Sequence, residues 1–491
     1  MRRSALWLLG CVLALFTLAT CSRNVSDLAG VRARGELRWG GDTQGGEPYV
    51  FDDPRRPGHL VGFEVDLAEA LARELGVRAR FVQCDWSTLV PSLERGTFDI
   101  ALNGLEVTAS RAGQLRFSRP YYLFQMRLMA RVGDTRVRAD AASLRGLRVG
   151  TLGNSQSSEF LARNGVQAVL YEGQEEPYID LQRGRIDAVL LDDIIATRYG
   201  VPKADLRVVG DMGPGYYAIG IRPRDAQLAD ALDTALERIT SRGELRQILS
   251  RWQIDDPRME RITRWTASDQ AQLVQATEHA HFGWDHIKLF AGGAWATLVV
   301  SVLAMLLAVP FGMLLAIARQ YGPRPIAFLA ASYVEVVRGT PVLLQLYVLY
   351  FGLSAYVRLS AMAAAVLGLG LNYAAYEAEV YRAGLQAVPK GQTEAAVALG
   401  MSRFLTLRRV VMPQAFRMAL PGVTNDFIAL LKDSSLVSVI TVVELTKRMQ
   451  ITAVEVRSWL GPGLACAGMY FVLSFPLSRL SRHLEERMAR G

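Results

Sequence analysis

Cysteine is scarce in this 491-residue chain: Cys11, Cys21, Cys84 and Cys466 are the four. Cys11 and Cys466 lie in apolar runs, so no disulfide framework emerges. Histidine is nearly as scarce, with five residues, and the neighbours His279 and His281 have no ligand partners at zinc spacing. They read as solvated linker residues. No Gly-x-x-x-x-Gly-Lys-Ser/Thr phosphate loop occurs, so the chain is not expected to hydrolyse ATP. No Ser/His/Asp order argues for nucleophilic catalysis, and neither a catalytic nor a metal-ligating set is expected. Low-complexity tracts and internal repeats are missing too. Charge is unevenly spread. It is plentiful up to about Trp284, and long uncharged runs follow. The formal net charge of +8 is therefore attributed to arginines flanking membrane segments rather than to nucleic acid.

Arg2 and Arg3 precede an apolar stretch, Ala5 to Ala19, too short for a comfortable membrane span. This is the pattern of an export signal over residues 1–21. Leu18-Ala19-Thr20-Cys21 resembles a bacterial lipobox, with Thr20 as a departure. A lipidated Cys21, an ordinary signal peptide and an uncleaved anchor all remain open. Each puts the following segment outside the membrane.

Between residues 28 and 257 short apolar strands alternate with helical spacing. Leu37 to Gly40, Ala79 to Val82 and Phe98 to Leu102 read as strands. Phe63 to Leu75 repeats apolar residues at helical intervals before Gly76. The rhythm restarts at Arg148 and runs through strands at Ala168 to Leu170 and Ile186 to Leu191. Two α/β lobes in series, each with a mainly parallel sheet, are expected to enclose a ligand cleft.

Several ordered motifs then carry a resemblance: Gly62-Phe63-Glu64-Val65-Asp66, Gly96-Thr97-Phe98-Asp99-Ile100, Asn103 to Arg111, and Phe117-Ser118-Arg119-Pro120-Tyr121-Tyr122. This ordered set is similar to the periplasmic binding proteins of polar amino-acid ABC importers. An amino acid's carboxylate calls for a planar bidentate donor and its ammonium for an anion. The resemblance implies Arg111 for the carboxylate, backbone N–H groups at Gly104 and Glu106 beside it, and a contact from the turn at Ser155. It implies Asp192 for the ammonium, with Asp193 the competing candidate. It also points to Asp42 at the end of the first strand. Tyr49 is expected to stack on the ligand side chain, or else, with Phe51, to pack its loop. Asp42, Glu47 and Glu106 together favour a cationic or neutral polar side chain over an acidic one.

Beyond the linker (258–286), uncharged runs at Leu289 to Ala318, Gly339 to Val357, Leu359 to Tyr376 and Ser458 to Ser478 are each long enough to span a bilayer. A weaker run over Pro421 to Val443 holds Asp426, Lys432 and Asp433, and brings the expected total to about five spans. Arg319, Arg324, Lys390, Arg403, Arg408, Arg409, Arg417 and the tail (481–491) fall inside by the positive-inside rule, whereas Lys447, Arg448 and Arg457 fall outside and run against it. Pro310, Pro341 and Pro476 are expected to kink or end spans.

The stretch Glu394-Ala395-Ala396, three residues, Gly400, nine residues, Val410-Val411-Met412-Pro413 resembles the EAA loop of ABC importer permeases. That family docks this helix–turn–helix on a separate ATPase. The implied fold is an α/β two-lobed periplasmic-binding-protein fold (type II) followed by an all-α transmembrane domain of about five helices (287–480). The implied function is ATP-driven amino-acid uptake, with no cofactor on this chain because ATP acts on the partner subunit. The implied partners are an amino-acid ligand, a cytoplasmic ABC ATPase and a second permease as homodimer or heterodimer, with no nucleic acid. The implied location is a bacterial inner membrane, with the binding domain extracytoplasmic and the EAA loop and C-terminus cytoplasmic. A competing reading, a ligand-gated channel or sensor on the same lobes, would need a pore filter such as Thr-Val-Gly-Tyr-Gly, which the sequence lacks.

Overall fold

A computed structural model describes residues 27–273, 282–357, 359–456 and 458–488. The expectations for the signal segment 1–21, for Cys21, His279, His281 and Arg457, and for the end of the tail lie outside these residues. The chain forms two compact units, one α/β and one helical.

The α/β unit is built on strands β1 (Glu36–Gly41), β2 (Phe51–Asp52), β3 (Leu60–Val61), β4 (Arg78–Gln83), β5 (Ile100–Ala101), β6 (Arg116–Arg131), β7 (Arg148–Leu152), β8 (Gln167–Tyr171), β9 (Ala188–Asp192) and β10 (Leu206–Ile221). Eight form one sheet in the order β4-β1-β5-β10-β6-β9-β7-β8. Buried Leu37 and Trp39 fix the face of β1 that packs inward. The fully buried Asp99 carboxylate accepts from the Arg38 amide at 2.9 Å and from the Arg34 and Arg38 guanidinium groups, locking β1 to the start of β5.

The expected parallel pairs are present at β1–β4, β1–β5 and β7–β9. The sheet as a whole is mixed, which corrects the mainly parallel expectation. The sixteen-residue strands β6 and β10 pair antiparallel with each other along most of their length. They pair antiparallel with β9 and β5 on their outer sides. Both run through the two lobes, so the lobes share one sheet. The β6–β10 register slips between Asp211 and Pro214 and again between Tyr217 and Gly220, and such irregularities let a strand bend.

In the helical unit five helices have 15 or more residues among those described: Trp284–Tyr321, Arg324–Arg338, Ala361–Ala387, Met412–Asp433 and Leu460–Met488. The expected span Gly339 to Val357 is not one helix. Arg324–Arg338 and the following segment from Val342 meet at 103°, with Pro341 at the break. Counting only length and apolarity, two described helices could cross a membrane, or three if this bent pair is one span. Pro310 and Pro476 sit inside continuous helices rather than ending them.

Helices Trp284–Tyr321 and Ala361–Ala387 approach closely through buried Ala304, Ala308 and Gly312 on one and Gly370, Ala374 and Ala378 on the other. A Cβ at Gly312 would lie 2.5 Å from the Cβ of Glu377 and 2.8 Å from the Ala374 carbonyl. Small residues at such a crossing are the usual basis of helix packing in lipid.

Candidate ligand cleft and partner loop

β9 is fully buried over Ala188 to Leu191 and delivers Asp192 at its end. Asp192 lines a cleft of about 480 Å³, part of it open to solvent, together with Asp42, Tyr49, Trp86, Gly104, Glu106, Ser155 and Tyr217. Asp193 turns elsewhere, accepting from Arg258 at 2.6 Å. The Asp192 carboxylate accepts from the Tyr217 hydroxyl, which lies 2.8 Å from the Tyr49 hydroxyl. Burial and the nearby Glu106 charge hold the Asp192 carboxyl well above the usual carboxylate range, against the Tyr217 hydrogen bond. Tyr49 packs against Phe63 and Tyr217, whereas Phe51 meets Trp252 edge-on.

Arg111, 7 % exposed, lies behind the cleft at the end of the short helix Ala109–Ala112. Its guanidinium stacks 4.8 Å above the Trp86 ring. It donates to the Glu106 carbonyl at 3.0 Å and to the Asn154 carbonyl at 2.5 Å. Glu106 is buried, and its carboxylate lies 3.4 Å from the same guanidinium and accepts from the Gln156 amide at 2.8 Å. Burial pushes the Glu106 carboxyl up to about 7, with Arg111 pulling the other way. Ser155 is the N-cap of helix Gln156–Arg163: its Oγ accepts from the Ser158 amide at 3.0 Å. Trp86 closes the opposite contact, donating its indole N–H to the Gly153 carbonyl at 2.9 Å.

Two expectations change in detail. Gly104 lines the cleft, but its amide is already engaged, donating to Glu64 at 2.5 Å. Glu64 is fully buried, which raises its carboxyl to about 7, and this internal acceptor engages both Gly104 and the Tyr121 hydroxyl. Asp42 lines the cleft but is held by its own lobe, accepting from the Gln44 amide, the Gln83 side chain and the Trp86 amide at 2.8–3.0 Å. Glu47 pairs with Arg198. Sequence reasoning missed Trp86 and Tyr217. The aromatic pair Tyr216-Tyr217 followed by Ala218-Ile219 was the available signal for a buried strand passing the cleft.

In the helical unit, Glu394, Ala395 and Ala396 lie on helix Lys390–Ala398. Gly400 follows with φ +79°, and the amides of Gly400 and Met401 donate to the carbonyls of Val397 and Ala396 at 2.9 and 3.1 Å. This closes the helix with a Schellman turn. Ser402 caps the next turn, and Pro413 starts helix Met412–Asp433. Ala396 is buried, while Glu394 and Ala395 are exposed, as are the bulky apolar side chains of Leu399 and Phe404.

Residues 37–255 match the family of bacterial extracellular solute-binding proteins, family 3. Residues 308–490 match the family described as binding-protein-dependent transport system inner membrane component. The L-cystine transport system permease protein TcyB of Bacillus subtilis (strain 168) is 36% identical over 214 residues, which are 42% of this chain and 92% of that protein. The glutamine transport system permease protein GlnP of Escherichia coli (strain K12) is 38% identical over 214 residues, 42% of this chain and 95% of that protein. A structure titled "An ancestral arginine-binding protein bound to arginine" is 30% identical and covers 45% of this chain and 99% of its own, with a TM-score of 0.42.

Proposed function

From the premise that this chain belongs to the amino-acid ABC transporters, with a solute-binding domain and a permease on one polypeptide, we propose that it captures a polar or cationic amino acid outside the membrane and hands it to its own permease half. Supporting relatives are named for glutamine and cystine. The observation that carries the reading is the cleft in which buried Asp192 and the Tyr49–Tyr217 hydroxyl pair stand near the buried Arg111.

The ammonium is assigned to Asp192 and the carboxylate to Arg111 and the helix start at Ser155. Tyr49 meets the side chain, and the acids Asp42 and Glu106 disfavour an acidic one. The chain is divided into an export signal (1–21), binding domain (28–257), linker (258–286), permease (287–480) and tail (481–491). The linker raises the local concentration of the binding domain at the permease mouth. The binding domain is extracytoplasmic in a bacterial inner membrane, and the loop Glu394 to Pro413 and the C-terminus are cytoplasmic. A separate ABC ATPase docks on that loop, with Gly400 setting its turn and exposed Leu399 and Phe404 offering apolar contact. A second permease, identical or related, completes the pathway. The chain needs no cofactor of its own, since ATP is hydrolysed on the partner.

The test is calorimetry of the full chain in lipid nanodiscs against the twenty amino acids. One or a few should bind, and Arg111→Ala, which leaves the buried Glu106 carboxylate in the site without its ion-pair partner, should abolish binding. Loss of a buried ion-pair partner costs about 3–5 kcal/mol, so Arg111→Lys, which keeps charge but not the planar fork, is measured beside it. Normal ligand affinity in both variants would refute the site.

A further inference from the structure

Arginine and a helix start are the two groups on which a carboxylate is expected to land in this cleft, and the structure has a carboxylate there. It belongs to Glu106. Oε2 of Glu106 accepts the amide of Gln156, the first residue of helix Gln156–Arg163, at 2.8 Å, and it lies 3.4 Å from Nη1 of Arg111. Glu106 is 2 % exposed. Free amides at a helix start and a guanidinium are the standard receptors for an anionic group. Here both converge on a side chain of the protein itself.

The neighbouring donors are also engaged. Nη2 of Arg111 donates to the Asn154 carbonyl at 2.5 Å, Ser155 Oγ to the Leu152 carbonyl at 2.9 Å, and the Gly104 amide to Glu64 at 2.5 Å. The charged and titratable groups around Glu106 are Arg111 on Ala109–Ala112, Glu159 on Gln156–Arg163, Asp192 at the end of β9 and Tyr217 on β10. Three of these five groups, Glu106 included, are carboxylic acids, and one is a cation. A ligand carboxylate arriving at Arg111 therefore meets a carboxylate already seated, and two like charges cannot share that guanidinium and amide unless one leaves or is protonated.

We propose that Glu106 is the specificity-determining residue of the cleft: its carboxylate occupies the seat of a ligand carboxylate, and a ligand with a free α-carboxylate binds only by displacing or neutralising it. The proposal rests on the reading of the cleft as an amino-acid site. It follows that the cleft gains little from the ligand carboxylate and takes its affinity from the ammonium and side chain, at Asp192 and the Tyr49–Tyr217 pair. An exchange of one carboxylate for another on the same donors returns few net hydrogen bonds.

The test uses the full chain in lipid nanodiscs, with the tightest-binding of the twenty amino acids and the α-carboxamide of that same amino acid. The wild type should prefer the amino acid over its carboxamide by less than about threefold, whereas an unobstructed charge-assisted seat would give a hundredfold or so. Glu106→Gln, close in shape, and Glu106→Ser should each tighten the amino acid by about tenfold or more and leave the carboxamide within about threefold. A wild-type preference for the amino acid above about a hundredfold overturns the proposal without recourse to any variant. So does equal or absent tightening of the two ligands in the variants. In both cases the amino-acid-site reading stands. If neither wild type nor variants bind any amino acid, that reading falls and takes the proposal with it.

Discussion

Gly104 and Gly312 are both positions where no side chain fits, yet for unlike reasons. At Gly104, in the α/β unit, the backbone has φ +57°, a Cβ would come 2.8 Å from Cε1 of Tyr49, and the amide must reach Glu64. The backbone conformation itself favours glycine. At Gly312 the residue is in a regular helix, and what a Cβ would strike is another helix. The α/β unit fills its interior with large rings such as Trp39, Phe63, Tyr121 and Tyr217, all buried. The helical unit brings backbones together over alanine and glycine. Water drives the first kind of core through apolar area removed from solvent. In lipid that drive is missing, and close contact of backbones replaces it.

The strongest attack on this contrast is Gly312→Leu. It overpacks the crossing with Ala361–Ala387 and should lower unfolding free energy by about 3 kcal/mol or more, read from melting of the purified full chain in detergent. Wild-type melting would mean that close backbone approach is not what holds these helices. Gly104→Ala should cost roughly 1–2 kcal/mol from the left-handed backbone alone and also crowd Tyr49. It should weaken ligand binding in calorimetry while leaving the melting of the helical unit unchanged. A matching loss in both units would erase the contrast. The smallest effect belongs to Gly400→Ala. Nothing lies within 4 Å of a Cβ there, so only the backbone term of about 1 kcal/mol remains. Gly400→Asn should recover part of it, since asparagine tolerates this conformation; hydrogen exchange over residues 390–413 would measure both.

What the sequence made legible was local. The apolar strand before Asp192, the turn at Ser155 and the glycine turn at Gly400 are each set within a few residues, and the structure forms all three. What escaped depends on distant partners. β6 and β10 carry Arg119, Pro120, Asp211 and Pro214, which break any simple alternation, and each strand is specified by pairing with the other. Tyr217 reaches the cleft only through that pairing. The bond from the Gly104 amide to Glu64 escaped because its acceptor comes from the distant helix Phe63–Leu75. In the helical unit, hydropathy joined Gly339 to Val357 across a break made by Pro341 and hid a helix that begins at Arg324 behind the charges of Glu335 and Arg338. Charge interrupts a hydropathy run without interrupting backbone hydrogen bonds.

The shared sheet also sets an order of assembly. β10 lies between β5 and β6, so the first lobe lacks its inner strand until residues 206–221 have been synthesised. Helix Ala226–Ser241, which packs on helix Phe63–Leu75, is made later still. A chain emerging from the ribosome therefore carries an unfinished first lobe past the whole of the second. It can complete that lobe only once strand Leu206–Ile221 and helix Ala226–Ser241 have both been made.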